Sequence, residues 1–360
     1  MSKRETSEAI APRDISAEAM ALHRECLVLD LHIDTLLWAR LVGYDIGARH
    51  RNRLPTSPFG YHLDLPRAAD GGLDAAVLGL VINPREVHRE LIAPLQWLAW
   101  LEKQSGIEQT LAGLDLLDSA TQLHPERLVF ARSGSDIRRA FAEGKFAALV
   151  CLEGAHGIEG SLDHLREAHR RGLRMLGIVH FQANEAAYPM TVRAFADRGL
   201  TPFGRDLLAE LERLCIVADL AHLNGPGVDD ALRILKRPFV VSHTACRALH
   251  DHPRNLADDQ IRRIAEAGGV IGIAVGRGFV GAGGLERYVD HIEHVIRVGG
   301  AEAVALGSDF DGLVVPVSAL PDVSAFPRVT QLLLARGHAP EVVRRVLGEN
   351  ALRVLTDVCG

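Results

Sequence analysis

Short apolar runs recur along the chain, and most of them stop on a histidine or an acid. Eight have the length of strands: 27–34 (LVLDLHID), 74–82 (DAAVLGLVI), 146–154 (FAALVCLEG), 175–181 (MLGIVHF), 215–222 (CIVADLAH), 239–244 (FVVSHT), 270–276 (VIGIAVG) and 304–310 (VALGSDF). Near-continuous apolar runs suit strands of a parallel sheet covered on both faces. Helical patterns with clear punctuation lie between them. Ser161 is placed to cap LDHLREAHRR and Gly172 to stop it. Segment 204–214 (GRDLLAELERL) is amphipathic, and Asp258 is placed to cap DQIRRIAEA before Gly268-Gly269. Segments 285–298 and 340–347 continue the alternation. Strand–helix repetition with eight strands predicts an α/β fold, a (β/α)8 TIM barrel. The expected division is an N-terminal arm at 1–20 and a single domain at 21–360. A doubly wound open sheet is the competing fold, but no GxGxxG follows the first run.

The polar residues that end the runs carry the chemistry. They are His32 and Asp34, Glu153, His180, His222, His243 and Asp309, with Asn83 and Gly276-Arg277 ending the other two runs. In a barrel the C-terminal strand ends converge on the face that holds the active site. Long segments follow the first, fourth and eighth runs, at 35–61, 182–202 and 312–327, and belong to that face. In LDLHIDT, Asp30, His32 and Asp34 alternate with apolar residues, so a period of two predicts all three on one side of the strand. A single histidine at a strand end is more often a core or rim residue than a ligand. Seven ionisable groups at matching positions are a different matter. A pair of divalent metal ions resolves their burial, because imidazole and carboxylate are natural ligands of zinc and its neighbours.

Composition narrows the classes. An apolar fraction of 48% allows a large core. A net charge of -6 leaves no basic footprint for nucleic acid or anionic lipid. The five cysteines are scattered without a CxxC pair and read as reduced thiols. The N-terminal residues MSKRETSEAIAPRDIS contain no apolar signal core, and no run approaches 18 apolar residues. The expectation is a cytoplasmic protein with no membrane contact.

The chain resembles the membrane (renal) dipeptidase family, peptidase family M19, within the amidohydrolase-type barrels. The resemblance runs from Leu27 to Leu355 and rests on DLHIDT, LDLPRAADGG, LEGAHGI, VHFQANE, GLTPFGRDLL, VADLAH, VVSHTACRALHDHPRNLADDQIRRIAEAGGVIGI, ALGSDFDG and GENALRVL. It implies a dipeptidase with two divalent metal ions, zinc being the expected metal, and a metal-bridging hydroxide as nucleophile. His32 and Asp34 match ligands of the first ion, Glu153 the carboxylate shared by both, and His222 and His243 ligands of the second. His180 matches a histidine that contacts the substrate and polarises its carbonyl. Arg254 matches the arginine that holds the C-terminal carboxylate, and Asp309 the catalytic acid/base. The implied substrate is an L,L or L,D dipeptide, and dimeric relatives suggest a homodimer.

Several neighbours need separate readings. For Arg254 the competing role is a salt bridge to Asp251 or Asp258. Asp30 is expected either to support a ligand imidazole or to belong to a polar layer lower in the barrel. Cys151 is expected in the core, His156 in a loop, and Asp311 and Gly312 in the turn after the eighth strand. His291 and His294, three apart on a helix, are expected on a solvated outer face. His50, His62, His88, His124 and His338 have no phase argument in their favour. After VHFQANE the chain reads AAYPMTVRAFADR, where relatives are Gly-Ser-rich, so segment 186–198 is where substrate preference should diverge. Two other classes compete: a barrel hydrolase acting on a non-peptide amide or lactone, and a non-catalytic metal- or peptide-binding relative. HxD in place of HxH speaks against the first, and retention of Asp309 with all five ligand candidates speaks against the second.

Overall fold

The computed structural model describes residues 15–51, 57–82 and 104–360. Asn83, His88 and residues 1–14 of the expected arm lie outside the described residues. Among the described residues there are nine parallel strands: β1 Leu29–Ile33, β2 Ala75–Val81, β3 Leu128–Phe130, β4 Phe146–Glu153, β5 Met175–Gly177, β6 Val217–Asp219, β7 Val240–Thr244, β8 Val270–Ile273 and β9 Val304–Leu306. Eight of them follow the order β2-β1-β9-β8-β7-β6-β5-β4, and pairing of β2 with β4 closes the barrel. Closure excludes the open doubly wound sheet. β3 is an addition that the apolar runs did not announce. It pairs with Phe146 to Ala148 of β4, and β5 takes over at Cys151 and Leu152.

The strands are shorter than the runs that predicted them. His180, His222 and Asp309 each lie three residues beyond the last residue of β5, β6 and β9. Side chains take over from the ladder there. The Asp219 carboxylate, for example, accepts the N–H groups of Ala221 and Ser242. Beneath this rim the interior is apolar. Leu29, Leu31, Ala75, Val77, Leu149, Cys151, Met175, Val217, Val240, Val270 and Ala305 form one cluster with the C-terminal helix Asn350–Cys359. Alternate residues of the same strands, such as Leu78, Val150 and Val241, pack in a second cluster with the outer helices.

That division corrects the period-two reading of the first strand. Leu29 and Leu31 belong to the inner cluster, so Asp30 is out of phase with the interior. The β1 ladder shifts register between Asp30 and Ile33, and the β7 ladder shifts between Val241 and Thr244. Such irregularities re-aim side chains near active sites. Here they fall on His32 and His243.

The helices follow their punctuation closely. The Ser161 hydroxyl accepts from His164 N–H at the start of helix Leu162–Arg171, and Gly172 ends it in the left-handed region at φ 118°. Helix Pro202–Leu214 is capped by Thr201. Asp258 is not the cap expected of it. Ala257 holds the cap position of helix Asp258–Glu266, and Asp258 is the first helical residue. Its carboxylate instead accepts from His294 Nε2 at 2.7 Å. His294 and His291, on helix Gly284–Gly299, are buried rather than solvated. His291 Nδ1 accepts from Cys246 N–H at 3.0 Å, and its Nε2 lies 3.1 Å from the Val280 carbonyl. The helix packs against the barrel through these polar contacts as well as its apolar stripe. At the other end of the chain, helix Ala17–Glu25 begins inside the stretch expected as an arm and buries Ala19 and Leu22. No helix among the described residues is long and apolar enough to cross a membrane.

Close approach of β7, β8 and β9 depends on two glycines. A methyl group at Gly272 or Gly307 would overlap the Ser242 carbonyl oxygen. G272A and G307A are each expected to destabilise the fold by about 1–3 kcal/mol through overpacking. The measurement is the urea midpoint, and an unchanged midpoint in both variants would contradict this account.

Candidate metal centre

The centre grows from the strand ends. His32 lies in β1, and Asp34 caps helix Thr35–Val42 immediately after it. Two backbone bonds lace this exit to that of β9: Asp34 N–H to Phe310 O at 2.8 Å, and Asp309 N–H to His32 O at 3.0 Å. Glu153 ends β4, and His243 is the fourth residue of β7. His222 and Asp309 adopt left-handed backbone conformations, with φ 66° and 61°. Such conformations are uncommon outside glycine and collect at functional sites. Met190 N–H holds the His222 carbonyl at 2.8 Å. Gly79 in β2 leaves the space that His32 and Asp34 need, since a methyl group there would overlap Asp34 Oδ1.

These elements bring the predicted ligands to one carboxylate. Glu153 Oε1 lies 3.1 Å from His222 Nε2, 3.5 Å from His180 Nε2, 3.5 Å from His243 Nε2 and 3.6 Å from His32 Nε2. His222 and His243 approach each other at 2.9 Å between Nε2 atoms, and His32 Nε2 is 3.3 Å from Asp34 Oδ1. Three groups bring their ligand atoms close enough to share an ion: His32, Asp34 and Glu153; Glu153, His180 and His222; His32, His243 and Asp309. All of the predicted site residues therefore meet at one mouth. Arg254 is buried there too. Its Nη1 donates to His222, 2.5 Å from Nδ1, and its Nη2 donates to the His243 carbonyl at 3.1 Å. These contacts take the place of the alternative salt bridge to Asp251 or Asp258.

The electrostatics of the cluster are unbalanced. Burial, then Asp34, pushes the Glu153 carboxyl well above its usual range. Burial raises Asp309 to about 8, with Asp34 adding to the rise and His32 and Arg254 opposing it. Burial also opposes charge on His32, yet Asp34 and Glu153 together raise it to about 10. His180, His222 and His243 are held well below the ordinary imidazole range, by burial first and by neighbouring cations second. Neutral imidazoles with free lone pairs therefore surround carboxylates that resist ionisation. Both ring nitrogens of His32, Asp34 Oδ1 and Glu153 Oε2 are buried without a hydrogen bond. Nitrogen and oxygen donors in that condition fit a divalent cation. Added positive charge would let the acids ionise and give the lone pairs a partner.

Three supporting residues carried weaker signals in the sequence, or none. Asp30 does support a ligand, but through the backbone. Its Oδ1 accepts from His32 N–H at 3.0 Å and Ser308 N–H at 2.9 Å, while Oδ2 has no partner. Asp219, three residues before His222, plays the matching part beside His243. It lies in the middle of the fifth predicted run, 215–222, and the sequence did not single it out. Asp311 was expected merely to shape a turn. Its carboxylate accepts from Thr35 Oγ1 and His62 N–H, its carbonyl from Trp38 Nε1, and its own N–H donates to His62 Nδ1. His62, which had no phase argument, is thus tied to the β9 exit. Cys151 lies in the inner core as expected, whereas His156, expected in a loop, lies in the short helical turn Ala155–Ile158. The divergent segment is ordered by its own aromatic residues. Tyr188 and Phe195 lie 4.9 Å apart with the Arg198 guanidinium against both rings, and Asn224 Nδ2 donates to the Phe195 and Arg198 carbonyls.

Comparison with known proteins agrees with this geometry. The family model of the membrane dipeptidases, peptidase family M19, matches residues 16–359. Dipeptidase tcpJ of Claviceps purpurea is 31% identical over 308 residues, which is 84% of this chain and 71% of that protein. The crystal structure of dipeptidase AC, a metallopeptidase of the same family, is 28% identical with a TM-score of 0.79, covering 93% of this chain and 99% of that one. A metallopeptidase from Rhodobacter sphaeroides, crystallised with a phosphinate mimic of the dipeptide L-Ala-D-Ala, is 27% identical with a TM-score of 0.80, covering 92% and 99%. The chain belongs to the membrane dipeptidase family, peptidase family M19, and is a metallo-dipeptidase on a TIM barrel.

Proposed function

We propose that this enzyme hydrolyses L,L or L,D dipeptides with a free C-terminus, using two divalent ions, with zinc as the expected metal. The observation that carries this reading is the convergence of four ligand candidates, His32, Asp34, His222 and His243, on a fifth, Glu153, at the mouth that also holds Asp309, His180 and Arg254. His32 and Asp34 would hold one ion, His222 and His243 the other, and Glu153 would lie between them. When bound, the ions supply Lewis acidity toward the scissile carbonyl and toward water. The R. sphaeroides relative and its L-Ala-D-Ala mimic support the substrate class.

The protein groups supply the rest of the chemistry. Asp309 lies at the same mouth, beside His32 and His243, where a carboxyl can exchange a proton with water and substrate. It takes a proton from the attacking water and returns it to the amide nitrogen as the C–N bond breaks. His180 is kept neutral by burial and by Arg254, and so can offer one N–H to the developing oxyanion. Arg254 is a permanently charged planar fork whose Nε is buried without a partner. It suits the substrate carboxylate, and that contact limits the length of peptide beyond the scissile bond.

Asp309→Asn is expected to lower kcat by about 10²–10⁴-fold, the usual contribution of a general acid/base. Metal content, measured by elemental analysis, should stay unchanged, and full activity would overturn the assignment. Arg254→Met should raise KM for a free dipeptide by about 10- to 100-fold, the loss of a charged hydrogen bond. It should also abolish the preference over the C-terminally amidated dipeptide, and a retained preference would sink the carboxylate role.

Stability of the metal-free protein should fall as pH rises from 7.5 to 8.5. Asp309 near 8 and His32 near 10 keep protons in the folded chain that the unfolded chain releases near 3.8 and 6.5. The raised Glu153 acts in the same direction. The three depressed histidines are largely neutral in both states above pH 7.5. The native state therefore binds more protons in this window, and stability declines with pH. Melting of chelator-treated protein measures the decline, and added divalent cation should flatten it by displacing the protons. A flat or rising Tm without metal would contradict the charge balance described above.

A further inference from the structure

We infer that Asp219 and Ser242 form a positioning pair that fixes the tautomer of His243, so that its Nε2 reaches the metal centre without a proton. Three buried groups form a line. Ser242 Oγ lies 2.5 Å from Asp219 Oδ2 and 2.9 Å from His243 Nδ1. Asp219, Ser242 and His243 are each no more than 1% exposed, so the line is shielded from bulk solvent.

The proton assignment follows from counting donors. Asp219 Oδ1 accepts two backbone N–H groups, from Ala221 and Ser242, both at 2.9 Å. The second carboxylate oxygen, Oδ2, accepts from the Ser242 hydroxyl at 2.5 Å. That hydroxyl has one hydrogen, and the shorter contact, to the carboxylate oxygen, takes it. Toward His243 the hydroxyl then offers a lone pair, and Nδ1 must carry the hydrogen. A neutral imidazole has one N–H, so Nε2 is bare. That nitrogen is 2.9 Å from His222 Nε2 and 3.5 Å from Glu153 Oε1.

No other histidine of the cluster is set in this way. Both nitrogens of His32 lack hydrogen-bond partners. His222 meets the Arg254 guanidinium. Asp219 also holds the backbone one residue before each of two ligand candidates, since Ala221 precedes His222 and Ser242 precedes His243. One carboxylate thus sets both the spacing of the two histidines and the proton on one of them. Outer partners of this kind typically change metal affinity by about 10–100-fold.

The inference takes His243 as a ligand from the proposed function, but the tautomer can be read independently of metal. The experiment is long-range ¹H–¹⁵N correlation on the full metal-free chain with labelled histidine, His243 being assigned by the signal lost in His243→Gln. Wild-type protein should show hydrogen on Nδ1. Asp219→Asn should reverse the line. The backbone N–H groups keep the amide oxygen, the amide N–H donates to Ser242 Oγ, the hydroxyl donates to Nδ1, and the hydrogen moves to Nε2. Affinity for Zn²⁺, measured by chelator competition, should fall by about 10–100-fold in that variant and in Ser242→Ala. Ser242→Thr keeps the hydroxyl and should restore both readouts. If Asp219→Asn does not fold, Ser242→Ala and Ser242→Thr carry the test. Hydrogen on Nε2 in the wild type, or the same tautomer in all variants, overturns the inference. Tautomer inversion with unchanged zinc affinity would support the positioning pair and remove His243 from the ligand set.

Discussion

One buried carboxylate oxygen, Glu153 Oε1, stands within 3.6 Å of four imidazole nitrogens, and the site is organised around that crowding. Burial discourages both the carboxylate charge and most of the imidazolium charges. Among the described residues, Arg254 and His32 are the cations that act on Glu153 and Asp309. A divalent cation is the chemical complement of such a cluster. Left to hydrophobic packing alone, these groups would be among the least favourable in the molecule.

The fold keeps them there by fastening the backbone beneath them. Asp30 and Asp219 act alike: in each, one carboxylate oxygen accepts two N–H groups from neighbouring strand ends. The first joins the exits of β1 and β9, which carry His32 and Asp309. The second joins those of β6 and β7, which lead to His222 and His243. Asp311 adds a third fastening, drawing Thr35, Trp38 and His62 to the β9 exit. Each buried acid satisfies N–H groups that the shortened strands leave without a ladder partner. The strained backbone at His222 and Asp309 persists because these bonds overdetermine it.

Much of this was legible in advance. The barrel followed from eight apolar runs, and the ligand set from the polar residues ending them together with the family resemblance. Errors arose where a local rule met a tertiary constraint. Asp30 shared the alternation of His32, but register shifts in β1 separated the two. Asp258 looked like a helix cap and became the partner of a buried histidine. His291 and His294 were read as solvated because their helix lies outside the barrel, whereas their hydrogen bonds lie on its packed face. Ser242 carried no signal, since a serine beside a histidine is unremarkable without knowing that an acid from another strand lies 2.5 Å away.

The sequence by itself determined the eight strands that close the barrel, their alternation with helices and the residue types at the barrel mouth. Those depend on local periodicity and on the cost of burying polar groups, both of which a single chain displays. Only the tertiary structure decided which groups touch. The meeting of Glu153 with four histidines, the Asp219–Ser242–His243 line and the place of Arg254 all join residues from different strands. Their distances depend on barrel closure, on the register shifts in β1 and β7, and on space left by Gly79, Gly272 and Gly307. Local patterns place a side chain on its own strand; strand-to-strand register decides which chemistry it meets.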